Sequence, residues 1–234
     1  MRTLAVIPAR GGSKGLPGKN IKNFLGHPLI AWSINRALNS KLIDDVIVST
    51  DDEDIARTAL EYGADVPFMR PAEYATDESP TSEALLHLLD NVKDNKYDVM
   101  VLLEPTSPLR KENDIDKCLR KFSDQYSEID ALTSLGRVSL VHPSICKSID
   151  QDGNIVNFMR SDSKPSRRQD LEPAYFPYGV FYGVKISSFL ENHTFYQDRL
   201  GHFLIEDWQN YEIDNEVDFE VCQAVAKLKG MKIL

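Results

Sequence analysis

Residues 4–20 read Leu4-Ala5-Val6-Ile7-Pro8-Ala9-Arg10-Gly11-Gly12-Ser13-Lys14-Gly15-Leu16-Pro17-Gly18-Lys19-Asn20 and join an apolar run to a basic, glycine-rich loop. The apolar run, residues 4–7, has the unbroken hydrophobicity of a strand that is buried on both faces. A loop that leaves the carboxyl end of a parallel strand lies where ligands bind in open α/β sheets. This junction therefore predicts an α/β fold with an anion site at its first loop.

Beyond this junction the chain alternates short apolar runs with amphipathic helical patterns. Further strands are predicted at residues 46–48, 99–103 and 180–184. Helical spacing predicts five helices, with apolar faces formed by Ile30, Ile34, Ala37 and Leu38; Ile55, Ala56, Ala59 and Leu60; Leu85, Leu88, Leu89 and Val92; Ile115, Leu119 and Phe122; and Val217, Val221, Val225 and Leu228. This alternation predicts a doubly wound, mostly parallel sheet in a three-layer arrangement.

The alternating pattern weakens between about residues 138 and 177, where charged residues, serine and proline dominate. A turn is predicted at residues 150–154, Asp-Gln-Asp-Gly-Asn, because these residue types favour turn conformations. We expect residues 1–234 to form one domain, from which this segment protrudes as a flap or dimerisation arm.

Composition excludes several classes of protein. The 234 residues include 36 acidic and 27 basic side chains, and the net charge of −9 disfavours nucleic-acid binding. No apolar run approaches the roughly 20 residues that span a bilayer, and apolarity at the start ends at Pro8, too early for a signal peptide. Three widely spaced cysteines form neither a disulfide nor a zinc pattern, which indicates the cytoplasm.

The charge is unevenly distributed along the chain. Residues 1–43 contain seven basic residues and no acidic one, whereas residues 206–220 contain seven acidic residues and no basic one. We therefore expect a local anion site in the first segment rather than a generally basic surface.

The loop at residues 8–20 suits a polyphosphate. Its four glycines allow close approach of the backbone, and Arg10, Lys14 and Lys19 supply cations with no carboxylate nearby to neutralise them. The Walker A motif does not fit, because the glycine spacing is one residue too long and Asn20 stands where Ser or Thr is needed. The dinucleotide motif GxGxxG has no match in register either.

At this loop the sequence resembles the acylneuraminate cytidylyltransferases, the family of CMP-sialic acid and other CMP-nonulosonate synthetases. The family's leading motif, close to (I/L)-(P/L)-A-R-x-x-S-K-(G/R)-x-x-x-K-N, is met from Ile7 to Asn20. Further segments match in order, namely Arg70-Pro71-Ala72-Glu73, Leu102-Leu103-Glu104-Pro105-Thr106-Ser107-Pro108-Leu109-Arg110, Arg168-Gln169-Asp170-Leu171 and Ile213-Asp214-Asn215-Glu216-Val217-Asp218. The resemblance covers essentially the whole chain and implies a fold of the nucleotide-diphospho-sugar transferase type.

The resemblance implies that CTP and a nonulosonic acid react to give a CMP-sugar and pyrophosphate. Lys19 would neutralise charge on the α-phosphate and Arg10 would hold the departing pyrophosphate, so these two residues are the catalytic candidates. The other nucleotide-binding candidates are Ser13, Lys14 and Asn20 at the triphosphate and Arg70, Thr81 and Ser82 at the cytidine.

The same resemblance implies a sugar site formed by Glu104, Thr106, Arg168 and Tyr182. Arg168 suits the sugar carboxylate because a guanidinium can bind it through two parallel hydrogen bonds. Tyr182 would pack beside the sugar ring.

Glu104 departs from the family, since sialic acid enzymes commonly have Gln at this position. An ionised carboxylate only accepts hydrogen bonds and therefore favours a sugar that presents N–H or O–H donors. N-acetylneuraminate, legionaminic acid and pseudaminic acid all stay open as substrates. In the alternative interpretation, Glu104 forms an ion pair with Arg110.

The acidic segment suits Mg²⁺, which is bound by one or two carboxylates together with phosphate oxygens. Asp214 is the first candidate ligand and Glu212 the second. The family usually has Asp-x-Asp here. Because Glu212 has a longer side chain than the first Asp of that pattern, two contacts with the metal stay open, one direct and one through a water molecule.

The resemblance also implies a homodimer in which the arm reaches the partner's site. Three rival hypotheses remain: a cytidylyltransferase for another α-keto acid sugar, a kinase or NTPase that would release phosphate, and a non-catalytic nucleotide-binding module.

Overall fold

The computed structural model describes residues 1–92, 96–138, 141–159 and 171–233. The strands are β1 (Thr3–Pro8), β2 (Asn23–Phe24), β3 (His27–Pro28), β4 (Asp45–Ser49), β5 (Val99–Leu102), β6 (Ala131–Val138), β7 (Lys147–Ile149), β8 (Ile155–Asn157), β9 (Ala174–Lys185) and β10 (Leu200–Leu204). The α-helices are α1 (Leu29–Leu38), α2 (Glu53–Glu61), α3 (Thr81–Asn91), α4 (Asp114–Asp124), α5 (Ile186–Asn192) and α6 (Glu216–Leu228).

The largest sheet within the described residues has six strands in the order β10-β6-β9-β5-β1-β4. Strand β1 is parallel to both of its neighbours, β5 and β4, and β10 is parallel to β6. Strand β9 is antiparallel to both β5 and β6. The predicted mostly parallel α/β sheet is confirmed, with one antiparallel strand in its interior.

Side chains that alternate along β1 enter different cores on the two faces of the sheet. Ala5 and Ile7 pack in the core that includes residues of α1, α2 and α4. Leu4 and Val6 pack in the core that includes residues of α3 and α5. Two helical layers therefore enclose the sheet, as the alternation of strands and helices predicted.

The strands predicted at residues 4–7, 46–48, 99–103 and 180–184 correspond to β1, β4, β5 and part of β9. Strand β9 begins six positions before the prediction, at Ala174, and its first residues pair with the end of β6. The extra length carries the sheet into the segment predicted to protrude.

The predicted apolar faces of α3 and α4 are buried, whereas those of the other helices need correction. Leu38 and Leu60 are exposed, whereas Ala37 and Ala59, one position earlier, are fully buried, so the buried face of each helix is narrower than predicted.

On α6 the predicted face is wrong, since Val217 and Leu228 are 71% and 83% exposed. This helix instead buries Phe219 and Cys222, and the Phe219 ring packs edge-to-face on Phe24 with 5.5 Å between centroids. The larger aromatic side chain therefore determines which face of α6 is buried.

The described part of the segment at 138–177 contains the antiparallel hairpin β7–β8. The predicted turn at residues 150–154 joins these two strands, and Asp150 Oδ1 accepts hydrogen bonds from Asp152 N and Asn154 N. Gly153 has φ of 83°, a conformation that glycine adopts without strain.

Candidate active site

The loop that follows β1 lies at the carboxyl ends of the parallel strands and has several fixed points. Gly11 N donates a hydrogen bond to Asp51 Oδ1 at 3.1 Å, which ties the loop to the residues after β4. Asn20 is buried and its Nδ2 donates to Arg10 O at 3.0 Å. The predicted phosphate loop therefore has a well-anchored backbone before any ligand binds.

Gly15 lies where the phosphate loop contacts the acidic segment of the chain. A Cβ atom at this position would be 2.2 Å from the main-chain oxygen of Asp214, a distance that no side chain tolerates. Glycine at position 15 thus allows the two segments to touch through their backbones.

Asp77, in the loop before α3, neutralises two cations of the phosphate loop. Its Oδ2 lies 2.6 Å from Lys14 Nζ and its Oδ1 lies 2.5 Å from Arg10 Nη2. Hydrogen bonds from Lys14 and Arg10 hold the pKa of Asp77 below its usual value. The expectation that these cations have no neutralising carboxylate nearby is wrong, because the fold supplies one from 67 positions beyond Arg10.

Lys19 extends to the acidic segment. Its Nζ donates a hydrogen bond to Ile213 O at 2.7 Å and lies 4.0 Å from Asp214 Oδ1. The side chain is 12% exposed, and burial lowers the pKa of Lys19 while the charge of Asp214 acts in the opposite direction. The predicted catalytic lysine and the predicted metal ligand are therefore neighbours.

Eight of the predicted site residues line one cavity of about 180 Å³, together with Pro8 and Pro105. These residues come from the phosphate loop, from the loop after α2, from the start of α3 and from the turn after β5, and they are Arg10, Ser13, Lys19, Asn20, Arg70, Thr81, Glu104 and Thr106. Positive charge is concentrated on the side of the cavity formed by the phosphate loop, as a polyphosphate requires.

Arg70 is fixed in the wall of this cavity. Its Nε donates to Ser49 Oγ at 3.0 Å and its Nη2 donates to Ser49 O. Burial lowers the pKa of Arg70, with a smaller effect in the same direction from Arg10. The guanidinium is thus held by the end of β4 and has a single well-defined position beside the phosphate loop.

A second cavity, of about 300 Å³, adjoins the first and shares Thr81 and Glu104 with it. Ser82 and Tyr182, which were predicted to contact cytidine and sugar, also line this second cavity. The two cavities together contain ten of the fourteen predicted site residues.

The second cavity has aromatic walls that sequence reasoning missed. The Tyr182 ring lies 5.9 Å from that of Phe195 and 6.4 Å from that of Tyr196, measured between centroids. Both residues follow α5, where His193 ends the helix with φ of 55°. The only signal in the sequence was this aromatic pair in a polar loop, which matched no motif.

Glu104 lies at the junction of the two cavities. Burial and, to a lesser extent, the neighbouring Glu212 carboxylate raise the pKa of Glu104 to about 7. A Cβ atom at Gly179 would lie 2.1 Å from Glu104 Oε2, so the carboxyl group packs directly against the backbone of β9.

Arg110 is fully buried beneath Glu104 and supports it through the main chain. Its Nη2 donates to Glu104 O at 2.7 Å, and its Nε donates to Val180 O at 2.7 Å. Arg110 Nη1 donates to Ser33 Oγ at 2.8 Å. Arg110 thus joins the end of β5 to β9, in place of the ion pair considered for it.

The two candidate metal ligands differ in their surroundings. Glu212 Oε1 accepts hydrogen bonds from Gly179 N at 2.6 Å and from Ser107 Oγ at 2.9 Å. The Asp214 side chain is 87% exposed. Its carboxylate lies near Lys19 Nζ and, among the described residues, takes part in no hydrogen-bond network like that of Glu212. Within the described ranges no group of three His, Cys, Asp or Glu side chains forms a ready-made metal site.

Three of the other four predicted site residues, Lys14, Glu212 and Asp214, line neither cavity, and the fourth lies outside the described residues. Lys14 does not line either cavity; its side chain is 78% exposed and is bound to Asp77. Arg168 lies outside the described residues, so its predicted contact with the sugar stays a prediction.

A cationic loop at the carboxyl edge of a mostly parallel sheet, next to an aromatic cavity, defines a nucleotide-binding α/β protein. A family model for cytidylyltransferases matches residues 4–233, and the chain therefore belongs to the cytidylyltransferase family. The predicted resemblance and the predicted enzyme class, a nucleotidyltransferase, are confirmed.

Curated relatives resemble the chain over nearly its whole length. It is 37% identical to the CMP-N,N'-diacetyllegionaminic acid synthase of Legionella pneumophila, with 97% of each chain covered. Identity is 32% to the pseudaminic acid cytidylyltransferase of Campylobacter jejuni, again with 97% of each covered. The N-acylneuraminate cytidylyltransferase of Streptococcus agalactiae is 34% identical over 94% of this chain and 52% of that longer one.

Solved structures support the fold. A CMP:2-keto-3-deoxy-manno-octonic acid synthetase complexed with CTP superposes with a TM-score of 0.73 at 19% identity, covering 98% of this chain and all of that one. A 4-diphosphocytidyl-2C-methyl-D-erythritol synthase from Anaerococcus prevotii gives a TM-score of 0.61 at 16% identity, covering 97% and 98%. Every helix in the described residues is too short or too polar to span a bilayer.

Proposed function

We propose that this cytidylyltransferase transfers the CMP unit of CTP to a nonulosonic acid and releases pyrophosphate. The cavity of about 180 Å³ beside the phosphate loop is called the cationic cavity, and the cavity of about 300 Å³ beside Tyr182 is called the aromatic cavity. The observation that supports this function is that the two cavities meet at Thr81 and Glu104. A nucleotide in the first cavity and a sugar acid in the second would meet at this junction. The names of the relatives, which specify legionaminic, pseudaminic and N-acylneuraminic acids, agree with it.

Lys19 and Arg10 would perform the charge stabilisation that the reaction needs. The anomeric hydroxyl of the sugar attacks the α-phosphorus in line, and negative charge builds on the phosphate oxygens. Lys19 lines the cationic cavity and is held by Ile213 O, which supports a role for its ammonium group at the α-phosphate. Arg10 would bind the pyrophosphate as it leaves.

The other loop residues would position the nucleotide. Asn20 holds Arg10 O through its side chain and thereby orients the phosphate loop. Ser13 and Lys14 would complete the triphosphate site, and Arg70, Thr81 and Ser82 would contact the cytidine. Thr81 is the first residue of α3, so a main-chain N–H of the first helical turn is available beside its hydroxyl group.

Mg²⁺ is the cofactor that fits this site. Its chemistry, when bound, is to neutralise the phosphates and orient them. Asp214 is the ligand we propose, because its exposed carboxylate lies beside Lys19 where phosphate oxygens would complete the coordination. Glu212 is the weaker candidate, since its Oε1 already accepts hydrogen bonds from Gly179 N and Ser107 Oγ.

The sugar would lie in the aromatic cavity. Tyr182, with Phe195 and Tyr196 beside it, offers apolar surface to the acyl groups of a nonulosonic acid. Thr106 would contact the sugar from the turn after β5, and Arg168 would bind its carboxylate.

Glu104 favours a second candidate within the same reaction, in which the substrate is legionaminic or pseudaminic acid rather than N-acetylneuraminate. Glu104 stands at the junction of the cavities where sialic acid enzymes commonly have Gln. A carboxyl group that titrates near pH 7 accepts hydrogen bonds when ionised and donates one when protonated, so it recognises a sugar differently from an amide.

We further propose a homodimer formed through the arm. The described part of the arm exposes several large apolar side chains, and Val141, Ile149, Ile155 and Phe158 are each at least 67% exposed. Such a patch is unfavourable in water and fits an interface. Size-exclusion chromatography with light scattering tests the dimer.

We place the protein in the cytoplasm, because none of its three cysteines is disulfide-bonded.

The function is tested by measuring pyrophosphate release from CTP in the presence of Mg²⁺ and each of three sugar acids. N-acetylneuraminate, N,N'-diacetyllegionaminic acid and pseudaminic acid are supplied in turn, and a CMP-sugar is identified by mass. We expect release only when a sugar acid is present, with one of the three preferred. Lys22→Ala serves as the matched control, because it removes a lysine next to the loop that lines neither cavity.

Release of inorganic phosphate instead of pyrophosphate would support a kinase or NTPase. Binding of CTP without turnover on any of the three acids would support a non-catalytic nucleotide-binding module or a cytidylyltransferase for another α-keto acid sugar. Either result would overturn the proposed function.

A further inference from the structure

A third cavity, of about 420 Å³, lies behind Arg110 and away from the aromatic cavity. It is bounded by α1, by the residues that precede and begin α4, and by the chain after α6. Its lining comprises Arg36, Arg110, Lys111, Glu112, Asn113, Lys117, Glu206, Trp208, Lys229, Gly230 and Met231. None of these residues lines the cationic or the aromatic cavity.

Arg36 is a rigid donor in the wall of this third cavity. The residue is 3% exposed, and its guanidinium is fixed by Nε donating to Arg110 O at 3.2 Å and Nη2 donating to Lys232 O at 3.0 Å. Its third nitrogen, Nη1, is buried and has no hydrogen-bond partner among the described residues. A buried charged donor without an acceptor is unfavourable, so an anion in this cavity would stabilise the charge of Arg36.

The charge around the cavity is positive on balance. Five cationic side chains line it, against two lining carboxylates and the buried Asp114 beneath them. Part of the positive charge is already used, because Lys111 Nζ lies 2.7 Å from Glu206 Oε1. Lys117 and Lys229 remain at the rim, and Lys229 Nζ lies 5.2 Å from the centre of the Trp208 ring.

We propose that this third cavity binds a small phosphate anion at a site separate from the substrate site. Lys117 and Lys229 would donate to its oxygens, the buried Arg36 guanidinium would contribute its charge from within the wall, and Trp208 would form another wall. Charge-assisted hydrogen bonds of this kind are short and strong. The phosphate can be free or part of a larger molecule.

The third cavity is connected to the substrate site through a short series of contacts. Arg36 Nε donates to Arg110 O, and Arg110 Nη2 donates to Glu104 O. A bound anion would therefore lie beside Arg36, which holds Arg110. Arg110 in turn supports Glu104 at the junction of the two substrate cavities.

Trp208 provides a direct test. The chain has two tryptophans, and Trp32 is 2% exposed in a core with Phe24, so a fluorescence change on adding ligand reports mainly Trp208. Inorganic phosphate is titrated into the protein at constant ionic strength, without CTP or sugar, so the result is independent of catalysis. We expect a saturable change that is absent in Trp208→Phe.

Exposed Lys117 is the residue to substitute, because variants of buried Arg36 risk misfolding. Lys117→Gln should weaken phosphate binding about fivefold, the effect of losing one partly exposed charge contact. Lys41→Gln makes the same change of charge at an exposed residue that lines none of the three cavities, and it should bind like the unchanged protein.

Three results would overturn the proposal. One is a fluorescence that does not respond to phosphate. Another is equal phosphate affinity in Lys117→Gln and Lys41→Gln. The third is loss of the titration in Arg10→Gln but not in Lys117→Gln, which would mean that phosphate binds in the cationic cavity of the substrate site.

Discussion

Asp77 Oδ1 lies 2.5 Å from Arg10 Nη2, so the arginine proposed to hold pyrophosphate is already bound to a carboxylate. The other oxygen of Asp77 binds Lys14 at 2.6 Å. A triphosphate that binds both cations has to displace Asp77 from them. The loop before α3 therefore competes with the nucleotide for the same positive charges.

Removing this competition should strengthen nucleotide binding. We expect Asp77→Asn to lower the KM for CTP about threefold, because an amide binds Arg10 and Lys14 more weakly than a carboxylate does. Steady-state kinetics at saturating sugar measure the change. Glu78→Gln removes an adjacent exposed acid and should leave the KM unaltered; a raised KM in Asp77→Asn would instead make Asp77 a residue that organises the loop.

Lys19→Ala tests the proposed charge stabilisation. The loss of a cation that acts on the transition state should reduce kcat by about 100- to 1000-fold, with a much smaller effect on the binding of CTP. Single-turnover kinetics and equilibrium binding of CTP separate the two effects. Lys22→Ala, three positions further on, should retain near-normal kcat, and similar losses in both variants would remove Lys19 from the mechanism.

Glu104 should make stability depend on pH. Its pKa is raised from 4.5 to about 7 in the folded protein, so the folded state holds a proton that the unfolded state releases between these values. Stability from this group is therefore full below pH 4.5 and is lost as the pH rises through 7. Relative to the unchanged protein, Glu104→Gln should gain on the order of 2 kcal/mol in unfolding free energy between pH 5 and pH 8.

Urea denaturation at the two pH values, without divalent cations, measures this difference. Glu61→Gln, at the exposed end of α2, is the matched control and should show no such gain. A constant difference between Glu104→Gln and the unchanged protein at both pH values would show that Glu104 does not titrate in this window.

Glu104→Gln should also change the choice of sugar. With an amide at the junction of the cavities, we expect the ratio of kcat/KM for N-acetylneuraminate over N,N'-diacetyllegionaminic acid to rise about tenfold, the effect of one altered hydrogen bond. Competition between the two acids in one reaction measures this ratio directly. An unchanged ratio would exclude Glu104 from the recognition of the sugar.

The two acidic candidates should respond differently to Mg²⁺. Asp214→Asn should raise the Mg²⁺ concentration for half-maximal rate about tenfold, because a ligand charge is lost. Glu212→Gln should lower stability by about 1 kcal/mol instead, since its hydrogen bonds to Gly179 N and Ser107 Oγ are weakened. Glu216→Gln, a nearby exposed acid paired with Lys22, is the control for charge. Equal metal requirements in Asp214→Asn and Glu216→Gln would contradict the assignment of Asp214.

Much of the site could be predicted because residues 4–20 contain a strand and its ligand-binding loop in one uninterrupted segment. Local sequence fixes the relation between β1 and Lys19. The pairing of Arg10 with Asp77 could not be predicted, because it depends on how the loop before α3 packs. Phe195 and Tyr196 were missed for a different reason, because aromatic residues that match no motif most often belong to a core.

The missed strand β6 shows why the fold prediction was incomplete. Thr133, Ser134 and Gly136 interrupt its apolar pattern. In the structure Ser134 Oγ donates to Tyr178 O and accepts from Phe181 N, so β9 satisfies the polar group that hid the strand. Burial of a serine in a sheet interior depends on a partner strand more than 40 positions away, which no local pattern reveals.

The backbone contact at Gly15 links the stability of the nucleotide site to that of the C-terminal part of the chain. Lys19 and Ile213, which flank this contact, are 194 positions apart, so the hydrogen bond between them closes a loop that contains most of the chain. Partial opening of the segment before α6 would release Lys19 and Asp214 together. Occupancy by CTP should accordingly protect the amides of residues 212–216 from hydrogen exchange, although these residues are distant in sequence from the phosphate loop.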